Sequence, residues 1–106
     1  MPKYLYHGTY VGDGVKGLIK DGGSGRVAAV REAAESIGGS LESFYFSFGK
    51  DDFHVIVDLP DNVSAAAMAL TVAGSGRVSL DTTVLLTPEE VDAAVRKHPD
   101  YTPPGS

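Results

Sequence analysis

GSLESFYFSFGKDDFHVIVDLP, residues Gly39 to Pro60, reads as two strands joined by a polar turn. From Leu41 to Phe48 the chain puts Phe44, Phe46 and Phe48 on one side and Ser43, Tyr45 and Ser47 on the other, the period of two that a strand presents. From Phe53 to Leu59 it is β-branched and aromatic. Gly49-Lys50-Asp51-Asp52 between them has turn composition. The pair is therefore a β-hairpin.

Upstream, Lys3 to Tyr10 is a short β-prone run that ends in Gly12-Asp13-Gly14. Val15, Leu18 and Ile19 then recur at helical spacing, and a second amphipathic segment from about Ser24 to Ile37 turns Val27, Val30, Ala34 and Ile37 inward. Asp21-Gly22-Gly23 breaks one helix or separates two. Ser24 is a candidate N-cap, and Gly38-Gly39 a C-terminal stop. Downstream, Asp61 caps a helix to about Ala73, whose alanine-rich run has high helix propensity. Val78 to Leu85 alternates as a fourth strand. Thr87-Pro88-Glu89-Glu90 has the form of a capping box with proline at the first helical position, so a last helix runs to about Lys97.

The order β-α-β-β-α-β with an added helix is the split βαβ pattern of a ferredoxin-like α+β sandwich, with the helices on one face of an antiparallel sheet. Residues 1–97 form one domain and 98–106 a loose tail. In this order the first and third strands are expected as parallel neighbours at the centre of the sheet. Both faces of the hairpin strands carry apolar or aromatic side chains, Phe44 and Tyr45 or Val55 and Ile56. The face without helices is therefore expected to be covered by a second copy, giving a homodimer or a higher homo-oligomer.

Composition narrows the function classes. The chain has 106 residues, 42% hydrophobic and 22% charged, within the range of a globular domain. Its formal net charge of −5, with nine scattered Lys and Arg, argues against a nucleic-acid partner. No apolar run approaches a membrane span and the start lacks a signal-peptide pattern, so a cytoplasmic protein without a membrane partner is expected. The absence of cysteine excludes disulfides, thiolate metal sites and a cysteine nucleophile.

KYLYHGTY, GVKGLIKDGGSGR, GGSLESFYFSFG, DFHVIVDLPDN and TTVLLTPEEVDAA together resemble the GYD-domain proteins, small bacterial proteins of largely unassigned function. The resemblance spans about residues 1–97. It implies a ferredoxin-like fold of the dimeric α+β barrel kind, a superfamily holding small oxygenases, isomerases, cyclases and non-catalytic binders, and it implies no single reaction. The family pattern of Gly, any residue, Tyr, Asp after the second strand becomes Gly49-Lys50-Asp51-Asp52 here, with Asp51 in place of the tyrosine. His7 and His54 stand where aliphatic residues are expected.

His7 and His54 are the candidate catalytic residues, because imidazole titrates near neutrality and serves as general acid or base. The bland alternative is a half-buried histidine satisfied by a neighbour. Tyr6, Tyr10 and Tyr45 are the candidate substrate-binding phenols, with Tyr4 beside them. Asp58 lies on the same strand face as His54 and is read as the start of a loop. No His-x-His or HExxH spacing marks a metal site, and no metal or cofactor is expected. His98, at a helix end before Pro99, is read as structural. Gly12-Asp13-Gly14-Val15-Lys16-Gly17 matches the dinucleotide fingerprint in letters, but the chain lacks the doubly wound sheet that makes it work. Gly22-Gly23-Ser24-Gly25-Arg26 is an anion cradle or, more simply, a helix break. The expected function is binding of a small apolar or aromatic molecule, with cofactor-free acid–base isomerisation or cyclisation. The alternative is a non-catalytic ligand-binding or regulatory module.

Overall fold

Tyr4, Tyr6 and Gly8 alternate with Leu5, His7 and Thr9 along β1 (Lys3–Tyr10), and this alternation divides the whole sheet into a covered and an open face. The computed structural model describes residues 1–106. The other elements are α1 (Gly14–Ser36), β2 (Ser40–Phe46), β3 (Phe53–Asp58), α2 (Asn62–Gly74), β4 (Val78–Leu85) and α3 (Pro88–Val95). Strand order in the single sheet is β2-β3-β1-β4, and every neighbouring pair is antiparallel. This is the ferredoxin-like arrangement with a helix added.

The expectation that the first and third strands run parallel is wrong. β2 and β3 are hairpin partners, and β3 inserts between β2 and β1, so it runs against both. Antiparallel pairing sets His7 directly opposite His54.

On the covered face, Tyr4, Tyr6, Phe53, Val55 and Val57 pack with Ala34 of α1, Leu59, and Ala65 and Met68 of α2. Val57, Leu59 and Ala34 are completely buried. Burial of a side chain such as Val57 or Leu59 stabilises by about 1.5–3 kcal/mol. β1 and β4 approach so closely at Gly8 that a Cβ there would collide with the backbone carbonyl of Ser79.

α1 breaks at Gly22 alone, whose φ of 73° and ψ of 167° only glycine adopts without strain. Ser24 therefore lies inside the helix and caps nothing. Beyond the break Val30 and Ile37 pack against the core. Before it, Val15 and Ile19 stay exposed despite their helical spacing. α2 starts on Asp61, whose carboxylate accepts the Ser64 N–H at 2.8 Å. That bond holds its carboxyl below the usual range. β2 stops at Phe46, two residues short of the expected end. Phe48 takes a positive φ of 55° and stacks its ring on Phe46.

α3 has the expected capping box, the Thr87 hydroxyl accepting from Glu90 N and the Glu90 carboxylate accepting from Thr87 N. None of its residues is buried. It projects from the domain, and the radius of gyration is 16.8 Å where a compact chain of this length has about 13 Å. Residues 96–106 continue outward without helix or strand.

Candidate functional site

Register places one residue from each strand in a row across the open face: Tyr45, His54, His7 and Asp81. The two imidazoles lie with ring centroids 6.2 Å apart and planes 8° from parallel. The side chain of His54 is 46% exposed, against 25% for His7.

The turn between β2 and β3 completes the cluster. Asp52 donates its N–H to the Gly8 carbonyl at 2.6 Å, and its carboxylate accepts the Tyr10 N–H at 2.9 Å. Ser47 binds the same turn through its N–H to the Asp52 carbonyl and its hydroxyl to the Asp51 carbonyl. Tied to both strands, the turn sets Asp51 Oδ2 3.0 Å from His7 Nδ1 and 3.9 Å from His54 Nε2. Ser47 Oγ lies 3.5 Å from His54 Nδ1.

An ionised carboxylate only accepts, so its bond to His7 puts the proton on Nδ1 and leaves Nε2 as the basic nitrogen. This carboxylate–imidazole pair, beside a second imidazole, has the parts for moving a proton. No three acidic or histidine side chains are grouped so as to hold a metal ion. Further along the open face Lys3 pairs with Glu42 at 2.7 Å and Asp58 at 2.9 Å. Asp58 ends β3 where the loop to α2 opens, as expected, and it is also an ion-pair partner there.

The five candidate residues divide between the two faces. His7, His54 and Tyr45 share the open one, while Tyr6 and Tyr10 lie on the covered one. Tyr6 donates its hydroxyl to the Ala65 carbonyl at 2.6 Å, and burial pushes its phenol up to about 12. Tyr4 likewise donates to Asn62 Oδ1 at 2.7 Å. These two phenols brace α2 against the sheet.

Tyr10, with Tyr6, lines a cleft between the sheet and the helices, together with Val30, Phe44, Phe53, Met68 and Val72. Burial raises its pKa, an effect opposed by the neighbouring Arg26. Arg26 is the one residue on the cleft wall that is not hydrophobic.

Sequence reasoning passed over Asp51 as a site residue. Its signal was present, because Asp51 stands where the family pattern has tyrosine, and the other two departures from the expected pattern are His7 and His54. All three converge on one spot.

Residues 4–95 match the model of the GYD domain family, and the chain belongs to that family. No curated protein and no solved structure matches it. No helix is long and apolar enough to cross a membrane.

Proposed function

Starting from membership of the GYD-domain family, we propose that this chain binds a small, largely apolar or aromatic molecule in the cleft between its sheet and helices. The observation that carries the reading is the wall of that cleft, ten hydrophobic residues of eleven, opening to solvent in the middle of the core-facing side of the sheet. Ligand sites are concave and mostly apolar with few polar groups, and this cleft has that character. The protein acts in the cytoplasm as a homodimer, the open face with its half-buried Leu5 and Ile56 and exposed Tyr45 meeting its counterpart on a second copy.

The test is native mass spectrometry of the protein purified from its own host. A small-molecule adduct that Val72→Trp displaces by filling the cleft supports the proposal. Retention of the same adduct by that variant would place the ligand elsewhere.

A second reading rests on the stacked imidazoles with Asp51 between them: acid–base catalysis, an isomerisation or cyclisation, on the open face. In it His7 is the principal acid or base, since Asp51 orients its ring, and His54 is its partner. A proton-transfer residue contributes about 10²- to 10⁴-fold in rate, so His7→Ala and His54→Ala would each lower turnover on that scale. The sheet lies between these rings and the cleft, so a cleft-bound molecule does not reach them within one chain. The binding reading is therefore preferred.

A further inference from the structure

At its Arg26 end the apolar cleft adjoins a second cavity, lined by the shared Tyr10, Arg26 and Val78 and by Gly14, Gly17, Asp21, Ser75 and Arg77. Taken together they have an inner and an outer half that differ in chemistry. The inner half has Arg26 as its only charge, while the outer half holds Arg26 and Arg77 against the single carboxylate of Asp21. This locally cationic vestibule lies on a chain whose net charge is −5, so it does not follow from composition.

The donors there are only partly spent. Arg26 pairs with Asp21 at 3.6 Å, beyond hydrogen-bond distance, and reaches the Tyr10 phenol, while Arg77 has no ion pair. Arg26 sits beside the Tyr10 phenol at the junction of the two halves. A wholly apolar occupant reaching this junction would strip water from the guanidinium and return nothing for it. An anionic group there would be met by a planar fork of donors suited to carboxylate.

We infer that the ligand of these adjoining cavities is a small amphiphile, its apolar or aromatic body held among Phe44, Phe53 and Met68 and a carboxylate head held by Arg26 and Arg77. The inference rests on the cleft being the binding site and adds the class of molecule. A Cβ added at Gly17 meets nothing within 4 Å, so a side chain there enters open space without disturbing the fold.

The experiment is calorimetric titration of the protein with octanoate and with 1-octanol, which share a tail and differ in the head. The expected result is octanoate binding about tenfold tighter, the scale of one charge-assisted hydrogen bond. Arg26→Gln and Arg77→Gln should each remove most of that advantage and leave octanol unchanged. Gly17→Glu, which places a carboxylate in the vestibule at a helical position that favours folding, should weaken octanoate alone. Melting temperatures of the variants identify any loss that comes from unfolding. Equal affinity for the two ligands, or arginine variants that weaken both alike, would overturn the anionic-head inference while the apolar cleft stands. Binding of neither ligand would overturn both.

Discussion

The two faces of this sheet are built from the same four strands and alternate residue by residue, yet they do opposite work. On the covered face Tyr4, Val55 and Val57 are at most 3% exposed, and the hydroxyls of Tyr4 and Tyr6 are donated to α2. On the open face, one residue further along each strand, stand Lys3, His7, His54, Asp58 and Asp81. A period-two backbone keeps stability and ionisable chemistry apart while holding both on one rigid support. In this single chain the apolar cleft and the paired histidines are therefore two regions, and a substitution on one should leave the other nearly unchanged.

The largest effect should come from the covered side. Leu59 is completely buried, and Leu59→Ala should cost about 2–5 kcal/mol. At about 4–8 °C per kcal/mol for a domain near this size, calorimetry would register a fall of roughly 10 °C or more. A fall of only a degree or two would mean that the core is not centred where β3 meets α2.

Tyr6→Phe is the intermediate case. It deletes the bond to the Ala65 carbonyl and should cost about 0.5–1.5 kcal/mol, the net worth of one hydrogen bond, because that carbonyl keeps its place in the α2 ladder. The same phenol makes stability depend on alkaline pH. Its pKa is raised from 10.0 to about 12, so the fold favours the protonated form. This stabilisation is complete below pH 10 and is lost as pH rises towards 12, where the unfolded chain ionises first. Melting temperature against pH should decline over that window less steeply in Tyr6→Phe than in the parent. Equal slopes would assign the decline to the other tyrosines.

At the acid end the sign reverses. The Asp61 carboxyl is held below its ordinary 3.8 by the N–H groups of α2, so its contribution is present above that pH and disappears as pH falls through the lowered value. Asp61→Ala should flatten the acid limb of the same curve, and an unchanged limb would remove the cap from the account.

The smallest effect belongs to the open face. His54→Ala removes a half-exposed ring whose contacts are Ser47, Asp51 and His7, and should shift stability within about 0.5 kcal/mol. A shift as large as that of Leu59→Ala would show that the open face carries structure after all.

Most of this division was legible in the chain. Alternation in Leu41–Phe48 and Val78–Leu85, the glycine stops and the Thr87–Glu90 box located the strands and helices to within a few residues, because each is a local signal. Strand direction was not local. Whether β1 and β3 run together or opposed depends on where the hairpin inserts, and the wrong choice there left the register of His7 and His54 open. The division of the tyrosines failed for a related reason. Tyr6 and His7 are adjacent in sequence, and adjacency in a strand means opposite faces. Asp51 escaped because a turn residue has no periodicity to betray its direction, and only the hydrogen bonds of Asp52 to β1 show where the turn is held. The exposure of Val15 and Ile19 was likewise not legible, because helical spacing marks one side of a helix without saying whether the sheet covers it.

Methyl-resolved NMR of the labelled protein during titration with octanoate tests the central claim most directly, since it reports which face a small molecule chooses. The account predicts that the methyl signals of Val30, Met68, Val72 and Leu80, which line the cleft, move together and saturate, while those of Leu5 and Ile56 on the open face stay in place. Movement at Leu5 and Ile56 with the cleft methyls unmoved would contradict it and transfer the binding site to the histidine face.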